Sequence, residues 1–349
     1  MRTRVIVASG VVGLVLAVMF GAPARAAGQN PTSEAAKEAA RKVALRSEAE
    51  STAIWEAELA SKKAAAVARV YDPGKPDPSD PPRTPWGDPD LRGYYITATY
   101  TPLERPRNVD KPLFTTDEAL NAFLTQADTD AGADPGVVHY DWKEFGMEAW
   151  QSPVRPSLRT GLVVDPQNGR LPPLTAAAEQ RRTTAAALRR ERDHQTGIEI
   201  FENQYTRCVM GLGAIPLIRG GNPGSAEATS AGVSTEIEIF QTADYVTIVH
   251  QSNTDVRIIP VSRRAHLPQA VKQWNGNSRG HWEGNTFVVE TTGIKALFPG
   301  DGFRGATEAA TIVERFSVLD KDTLRYAYTV TDPNTWASSW TVDTHLPRI

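Results

Sequence analysis

The most constraining feature of this sequence is a series of β-type segments in its C-terminal part. From Thr235 onward, short runs rich in β-branched and aromatic residues alternate with turn residues such as Gly284-Asn285. Short strands at close spacing, with no helix-length pattern between them, favour an antiparallel barrel or sandwich over a doubly wound fold. A further strand at Ile198–Met210 would suit a closed barrel. The predicted strands of the series are Thr235–Phe240, Tyr245–Gln251, Asp255–Val261, Arg279–Glu283, Thr286–Thr292, Thr311–Leu319, Thr323–Thr331 and Ser338–His345.

The composition is that of an ordinary globular protein, with 349 residues, 40% hydrophobic and 23% charged. A formal net charge of −3 offers no basic surface, so we expect no nucleic-acid partner. The single cysteine, Cys208, excludes an intramolecular disulfide and a Cys-based metal cage. The histidines are scattered, and no phosphate-binding, dinucleotide or nucleophile-elbow motif is present. We therefore expect neither a metal nor a cofactor.

The N-terminus has the pattern of a secretory signal peptide. Arg2 and Arg4 precede a continuous run of small and apolar residues, Val5–Phe20, and Ala24-Arg-Ala26 supplies a small-x-small cleavage pattern. The run is short for the ~20 apolar residues that cross a bilayer as a helix. We expect cleavage after Ala26, no stable membrane span in the mature protein, and a periplasmic or secreted location.

Three regions follow the signal peptide. Residues 27–71 are rich in Ala, Glu and Lys, which predicts a helical arm. Residues 72–85 are dense in proline, which predicts an extended linker, and residues 86–349 form the predicted β domain. Within that domain we expect a short helix from Thr115 or Thr116 to about Asp128, and a second helix at Ala176–Asp193.

The hairpin around Gly284-Asn285 separates polar from apolar side chains. A two-residue turn pairs Arg279 with Glu290 and His281 with Val288, which puts these residues on one face together with Glu283 and Thr286. Trp282, Phe287 and Val289 share the other face. The polar face is interpreted either as a solvent-facing side with a minor cross-strand ion pair or as the polar lining of a lumen.

The next hairpin places a carboxylate among apolar side chains. Glu314 shares a face with Ile312, Phe316 and Val318, while Tyr326 and Tyr328 share a face of the partner strand. Such a carboxylate needs a partner, or it has a raised pKa. It is therefore either half of a structural Glu–Arg pair or an acid or base in a pocket. His250, which continues the face of Val246 and Ile248, is either a core histidine or a catalyst.

Asp255, Arg257 and His266 lie close together in sequence, in or just after the third strand of the series. An aspartate can orient a histidine that acts as a general base, and an arginine can hold a carboxylate or phosphate. Their spacing matches no specific catalytic motif.

The stretch from Gln273 to Thr292, QWNGNSRGHWEGNTFVVETT, resembles a large family of exported, uncharacterised bacterial proteins. The resemblance covers about Trp86 to Trp340. More loosely, the β region resembles lipocalin-type (calycin-type) β-barrels, which implies a lumen for an apolar small molecule. Further segments fit the family in the same order: Thr101–Pro106, Asp165–Thr175, Arg257–Pro260, His266–Pro268, Val313–Phe316 and Asp332-Pro333.

Two departures from the family pattern bear on these expectations. Family members show Asp after a His and just before the Arg-Ile-Ile segment, whereas the order here is Asn253-Thr-Asp-Val-Arg257. They also continue into a further strand and a Cys-His-Glu-Gly-Asn-like segment beyond Ile349. The resemblance implies that the cysteine of that segment would be the disulfide partner of Cys208.

Three functions are compatible with these features. In the first, an antiparallel lipocalin-like barrel binds a small, partly apolar molecule. In the second, an isomerase, cyclase, lyase or hydrolase uses acid–base residues in the same cavity, while in the third the helical arm of a cell-envelope scaffold binds a partner. The candidate catalytic residues are His250, Asp255 and Glu314, and the candidate ligand-binding residues are Arg257, His266, Trp274, Arg279, Trp282, Glu290, Tyr326 and Tyr328.

Overall fold

The structure is a computed structural model in which the chain divides into two compact units, Met1–Ser61 and Lys62–Ile349. It describes residues 67–132, 154–192, 215–218, 236–251, 255–268, 270–295 and 303–349, together with positions 38, 42, 50, 52, 53, 57, 61 and 64. The described positions of the predicted arm from 38 to 68 are helical. The signal peptide, the predicted strand at Ile198–Met210, Cys208, His139 and His194 lie outside the described residues.

The fold of the second unit is mainly β and antiparallel, as the sequence predicts. The eight predicted strands are present with small changes in their bounds, and two short strands precede them. In chain order the elements are β1 (Gly93–Ile96), α1 (Thr116–Gly132), β2 (Val163–Asp165), α2 (Ala176–Arg192), β3 (Glu236–Gln241), β4 (Tyr245–His250), β5 (Asp255–Pro260), β6 (Asn277–Glu283), β7 (Thr286–Thr292), a 3-10 turn (Phe303–Gly305), β8 (Thr311–Asp320), β9 (Thr323–Thr331) and β10 (Trp340–Pro347).

These strands form two sheets. The four-stranded sheet has the order β1-β3-β4-β5, and the six-stranded sheet has the order β2-β10-β9-β8-β7-β6. Single bridges connect the two sheets: Val261 pairs with Gly280 at one junction, and Tyr95 pairs with Arg348 at the other. The sequence predicts the strands and their hairpins, because both are local, whereas the division into sheets depends on contacts between distant segments.

Both predicted helices form, and a side-chain cap fixes the start of each. Thr115 caps α1: the Glu118 backbone N–H donates to Thr115 Oγ1, and the Thr115 N–H donates to Glu118 Oε2 at 2.7 Å. This is a capping box. At α2, the Ala178 N–H donates to Thr175 Oγ1 at 3.1 Å. No helix among the described residues is long and apolar enough to span a membrane.

The main apolar core contains side chains from both sheets. Alternation along β4, β8 and β9 buries one face of each strand, which matches the predicted pattern. The segment 215–218 belongs to this core, because Ile215, Leu217 and Ile218 are all buried within it. A smaller cluster of Ile96, Ala98, Tyr100, Phe123 and Val154 includes a side chain of α1.

The predicted proline-rich linker runs along the six-stranded sheet. Arg83 donates to Asn285 Oδ1 at the β6–β7 turn, and Asn285 donates back to the Ser79 carbonyl oxygen, both at 2.9 Å. Asp77 accepts from Arg325 on β9 at 3.2 Å. These contacts attach residues 77–83 to the same folded unit as the strands.

Candidate functional site

A buried polar network joins the two sheets around Arg257. The Arg257 side chain, 6% exposed, points inward from β5 and reaches three successive strands of the six-stranded sheet. Its Nε donates to Ser278 Oγ on β6 at 3.1 Å, and Nη2 donates to Thr291 Oγ1 on β7 at 2.9 Å. Nη1 donates to Glu314 Oε1 on β8 at 3.1 Å, and Nη2 also pairs with Glu314 Oε2. All three guanidinium nitrogens therefore have partners.

Glu314 is fully buried, and both of its oxygens accept hydrogen bonds. Besides the two contacts with Arg257, Glu314 Oε1 accepts from the Tyr326 hydroxyl at 2.8 Å. That hydroxyl accepts in turn from the Leu217 backbone N–H at 3.0 Å. Burial, followed by the charge of Glu314, raises the pKa of Tyr326 well above its ordinary value. The closed network favours the structural Glu–Arg pair over the free acid or base.

Two of the four aromatic residues predicted to bind a ligand, Tyr326 and Tyr328, lie in the packed core. Tyr326 and Tyr328 are almost completely buried, next to Phe316 and Trp340. Leu217 lies against Tyr326, so a segment of the chain itself occupies part of this interior.

His250 and Asp255 lie opposite each other on β4 and β5. The His250 side chain is 3% exposed and lies on the inner face of β4 with Val246 and Ile248. The structure therefore brings together two of the three predicted catalytic residues. The third, Glu314, belongs to the network around Arg257.

The polar face of the β6–β7 hairpin is partly open to solvent. The predicted pairing of Arg279 with Glu290 is confirmed by the strand register. Glu290, half-exposed, lies 3.1 Å from His266 Nε2, while His266 Nδ1 lies 3.1 Å from Asn277 Oδ1. Arg279 donates to the Ser278 carbonyl oxygen. This exposure agrees with the solvent-facing interpretation.

The two predicted tryptophans contact different residues. Trp274 is partly buried, with the Lys295 ammonium 4.5 Å from its ring centroid, a cation–π contact. Trp282 packs on Phe287, with ring centroids 5.1 Å apart, at the margin of the main core.

A pocket that the sequence does not predict lies between α1 and the segment 154–159. Its apolar wall includes Phe114, Ala122 and Phe123, and its polar wall includes Arg155, Ser157 and Arg159. Its volume is about 30 Å³, a few times the minimum of about 10–15 Å³ that one water molecule requires. The pocket can therefore hold the end of a small molecule.

Arg155 contacts uncharged acceptors on one side of this pocket. Its Nη1 donates to Thr323 Oγ1 at 2.9 Å, and its Nη2 donates to the Asp322 carbonyl oxygen at 3.1 Å. Its Nε is buried and has no acceptor among the described residues. Burial lowers the pKa of Arg155, and the carboxylates of Asp320 and Asp322 oppose that shift.

Arg159, also in the pocket wall, belongs to a polar cluster on the outer face of β9 and β10. Arg159 Nη2 pairs with Asp343 Oδ2, and Arg325 donates to both Asp343 oxygens at 3.0 and 2.9 Å. His345, 3% exposed, stacks on Tyr71 with ring centroids 4.3 Å apart. Neither ring nitrogen of His345 has a hydrogen-bond partner among the described residues. Burial, then the charges of Arg155 and Arg159, lowers the pKa of His345 to about 3.

Sequence patterns give little signal for this pocket. The segment Val154–Thr160 has no strand or helix period, and its two arginines resemble solvent-facing residues of a loop. No cluster of three or more His, Cys, Asp or Glu residues suited to a metal ion occurs in the described part of the chain.

Comparisons of the chain with models of protein families, with curated proteins and with solved structures found no match.

Proposed function

We propose that this chain is an exported β-barrel protein that binds a small, partly apolar molecule, with the end of that molecule in the pocket beside α1. The observation that carries the proposal is the division of the pocket wall. Phe114 and Phe123 offer apolar surface, whereas Arg155, Arg159 and Ser157 offer hydrogen-bond donors. Binding sites for small molecules combine apolar walls with a few convergent polar groups in this way.

For the fold, we propose that the two sheets close into a barrel. The bridges Val261–Gly280 and Tyr95–Arg348 support it, because each lies between an edge of one sheet and the other sheet. Closure removes exposed sheet edges. A lipocalin-type barrel would hold its ligand in the lumen, but here Leu217 and the core aromatics fill part of the interior. The proposed binding site therefore lies outside the barrel.

Export is proposed from the sequence. The basic start, apolar run and Ala24-Arg-Ala26 cleavage pattern support secretion, as does the resemblance of residues 86–340 to an exported bacterial family. N-terminal sequencing of the protein from its own periplasm would show a start at Ala27, and a start at Met1 would contradict export by this signal.

An acid–base enzyme is the second candidate function, and the register that places His250 opposite Asp255 favours it. The network around Glu314 weighs against it, since both carboxylate oxygens already accept hydrogen bonds. Turnover in a substrate screen that is lost in His250→Ala would support this function. Turnover that His250→Ala retains would exclude His250 as the catalyst.

The binding proposal is tested with a variant that fills the pocket. Ala122 is an exposed residue of α1 that lines the pocket, so Ala122→Trp should block it without disturbing the core. Asn121→Trp puts the same side chain at an exposed neighbouring position that does not line the pocket. Saturation-transfer NMR would be recorded with butan-1-ol, butanamide and butanoate.

We expect signal from at least one of these molecules with the wild-type protein and with Asn121→Trp, and loss of that signal with Ala122→Trp. Absence of signal from all three, or signal that Ala122→Trp retains, would overturn the proposed site.

A further inference from the structure

We propose that the ligand of the pocket is an apolar monocarboxylate whose carboxylate group contacts Arg155 and Arg159; this inference rests on the proposed binding function. Guanidinium groups match the planar geometry of a carboxylate, and two of them on one wall can hold both of its oxygens. Phe114 and Phe123 would contact the alkyl or aryl part of the ligand.

The hydrogen bonds of Arg155 do not neutralise its positive charge. Its acceptors are the Thr323 hydroxyl and the Asp322 backbone carbonyl, and neither is charged. The two carboxylates whose charges act on Arg155 are also paired with lysines: Asp322 lies 2.8 Å from Lys321, and Asp320 lies 3.9 Å from Lys75. A half-buried guanidinium whose bonds go to uncharged acceptors would be stabilised by an anion.

The surroundings of the pocket add positive charge. Arg159 and Arg325 share one carboxylate, that of Asp343, and Arg325 also pairs with the partly exposed Asp77. Arg69 lies close enough to Arg155 for their positive charges to repel each other. His345 adds no positive charge near neutral pH, because burial lowers its pKa to about 3. Asp320 and Asp322 lie beside lysines. The charged groups around Arg155 and Arg159 therefore favour the binding of an anion.

Unused donors support the same ligand. The Nε–H groups of Arg155 and Arg159 are both buried and lack acceptors among the described residues. Buried donors in native proteins nearly always have acceptors, from protein, water or a bound group. An anionic oxygen bound between these two arginines would supply the acceptor that these donors lack.

The size of the pocket favours a carboxylate over a larger oxyanion. A volume of about 30 Å³ is two to three times what one water molecule requires, so the pocket accepts a small head group, with the rest of the ligand along the apolar wall. A tetrahedral phosphate monoester has a bulkier head and up to two negative charges at neutral pH.

The test compares ligands of matched shape on the full chain by NMR titration. Butanoate and butanamide differ mainly in charge, and n-propyl phosphate supplies the alternative anion. We expect butanoate to bind at least tenfold more tightly than butanamide and more tightly than n-propyl phosphate. Equal affinity for butanoate and butanamide would overturn the carboxylate inference and leave the binding function intact. Tighter binding of n-propyl phosphate would show that the pocket prefers a phosphate, and absence of binding by all of these ligands and by butan-1-ol would remove the proposed function itself.

Substitutions of Arg155 test whether this residue causes the preference for the carboxylate. Arg155→Gln should weaken butanoate binding at least tenfold and leave butanamide almost unchanged, and Arg155→Lys should give an intermediate loss because the charge stays and the planar fork is absent. Arg264→Gln, at an exposed position outside the pocket, is the control and should bind like the wild type. Unchanged butanoate affinity in Arg155→Gln would contradict the assignment. If Arg155→Gln fails to fold, the ligand comparison on the wild-type protein still decides.

Discussion

Arg257 on β5 and Glu314 on β8 form an ion pair, 6% and 0% exposed, that connects the two sheets of the protein. Beside this junction, Val261–Gly280 is a single backbone bridge. The side-chain bonds of Arg257 to Ser278, Thr291 and Glu314 therefore supply hydrogen bonds where the sheets lack a continuous ladder. The pair secures the junction between the sheets.

Removal of one partner should destabilise the protein strongly. Glu314→Gln leaves the Arg257 charge buried without a counter-ion, and we expect a loss of about 3–5 kcal/mol in the free energy of unfolding measured in urea. The double variant Arg257→Met, Glu314→Leu should cost less than the sum of the single variants Arg257→Met and Glu314→Leu, because it leaves no uncompensated charge. Additive effects in this cycle would show that the two side chains are not coupled.

Gly280 should not tolerate a side chain, because Phe287 packs directly on its backbone. A Cβ atom at position 280 would lie 2.3 Å from Phe287 Cζ and 3.1 Å from Ile259 Cγ2, in the core next to the sheet junction. We expect Gly280→Ala to lower the free energy of unfolding by about 1–3 kcal/mol.

The control for this substitution is Gly74→Ala. A Cβ atom there would meet only Asp72 Oδ1, at 3.2 Å, and the change should stay within about 0.5 kcal/mol. Equal effects of Gly280→Ala and Gly74→Ala would show that the ring of Phe287 is not held against position 280.

His345 should make stability depend on pH. Its pKa falls from 6.5 to about 3 on folding, so between these values the unfolded chain binds a proton that the folded chain does not. The free energy of unfolding should therefore decrease as the pH falls below about 6.5, and this group should contribute a loss of about 2 kcal/mol at pH 5 relative to pH 7.

His345→Leu isolates this contribution, because the contributions of the other titrating groups to the pH dependence are the same in the variant and in the wild type and cancel in the comparison. Urea unfolding at pH 7 and pH 5 should give a smaller decrease for His345→Leu. The same decrease in both proteins would show that His345 does not carry the pH dependence.

The sequence predicts local features of this fold well. The alternation of Thr311–Leu319 identifies the inner face of β8, and Glu314 within that face indicates a buried partner or a raised pKa. The turn at Gly284-Asn285 fixes the register that pairs Arg279 with Glu290. Neither pattern identifies Arg257 as the partner of Glu314, because the two residues are 57 positions apart in the sequence and belong to different sheets.

Two other features cannot be predicted from the sequence, because their segments are too short or too irregular to show a strand or helix period. β1 and β2 have only four and three residues, too few for alternation to be recognised. The pocket combines one face of α1 with the irregular segment 154–159, and Arg155 and Arg159 resemble loop residues until the contacts with Thr323 and Asp343 are known.

The central claim, that a small, partly apolar molecule binds in the pocket beside α1, is tested most directly by isotope-filtered NOEs between bound butanoate and the labelled full chain. The account predicts NOEs from the butanoate methyl and methylene protons to the Phe114 and Phe123 rings and the Ala122 methyl group, all lost in Ala122→Trp and kept in Asn121→Trp. NOEs to residues elsewhere would contradict it, as would the absence of NOEs from butanoate, butan-1-ol and butanamide alike.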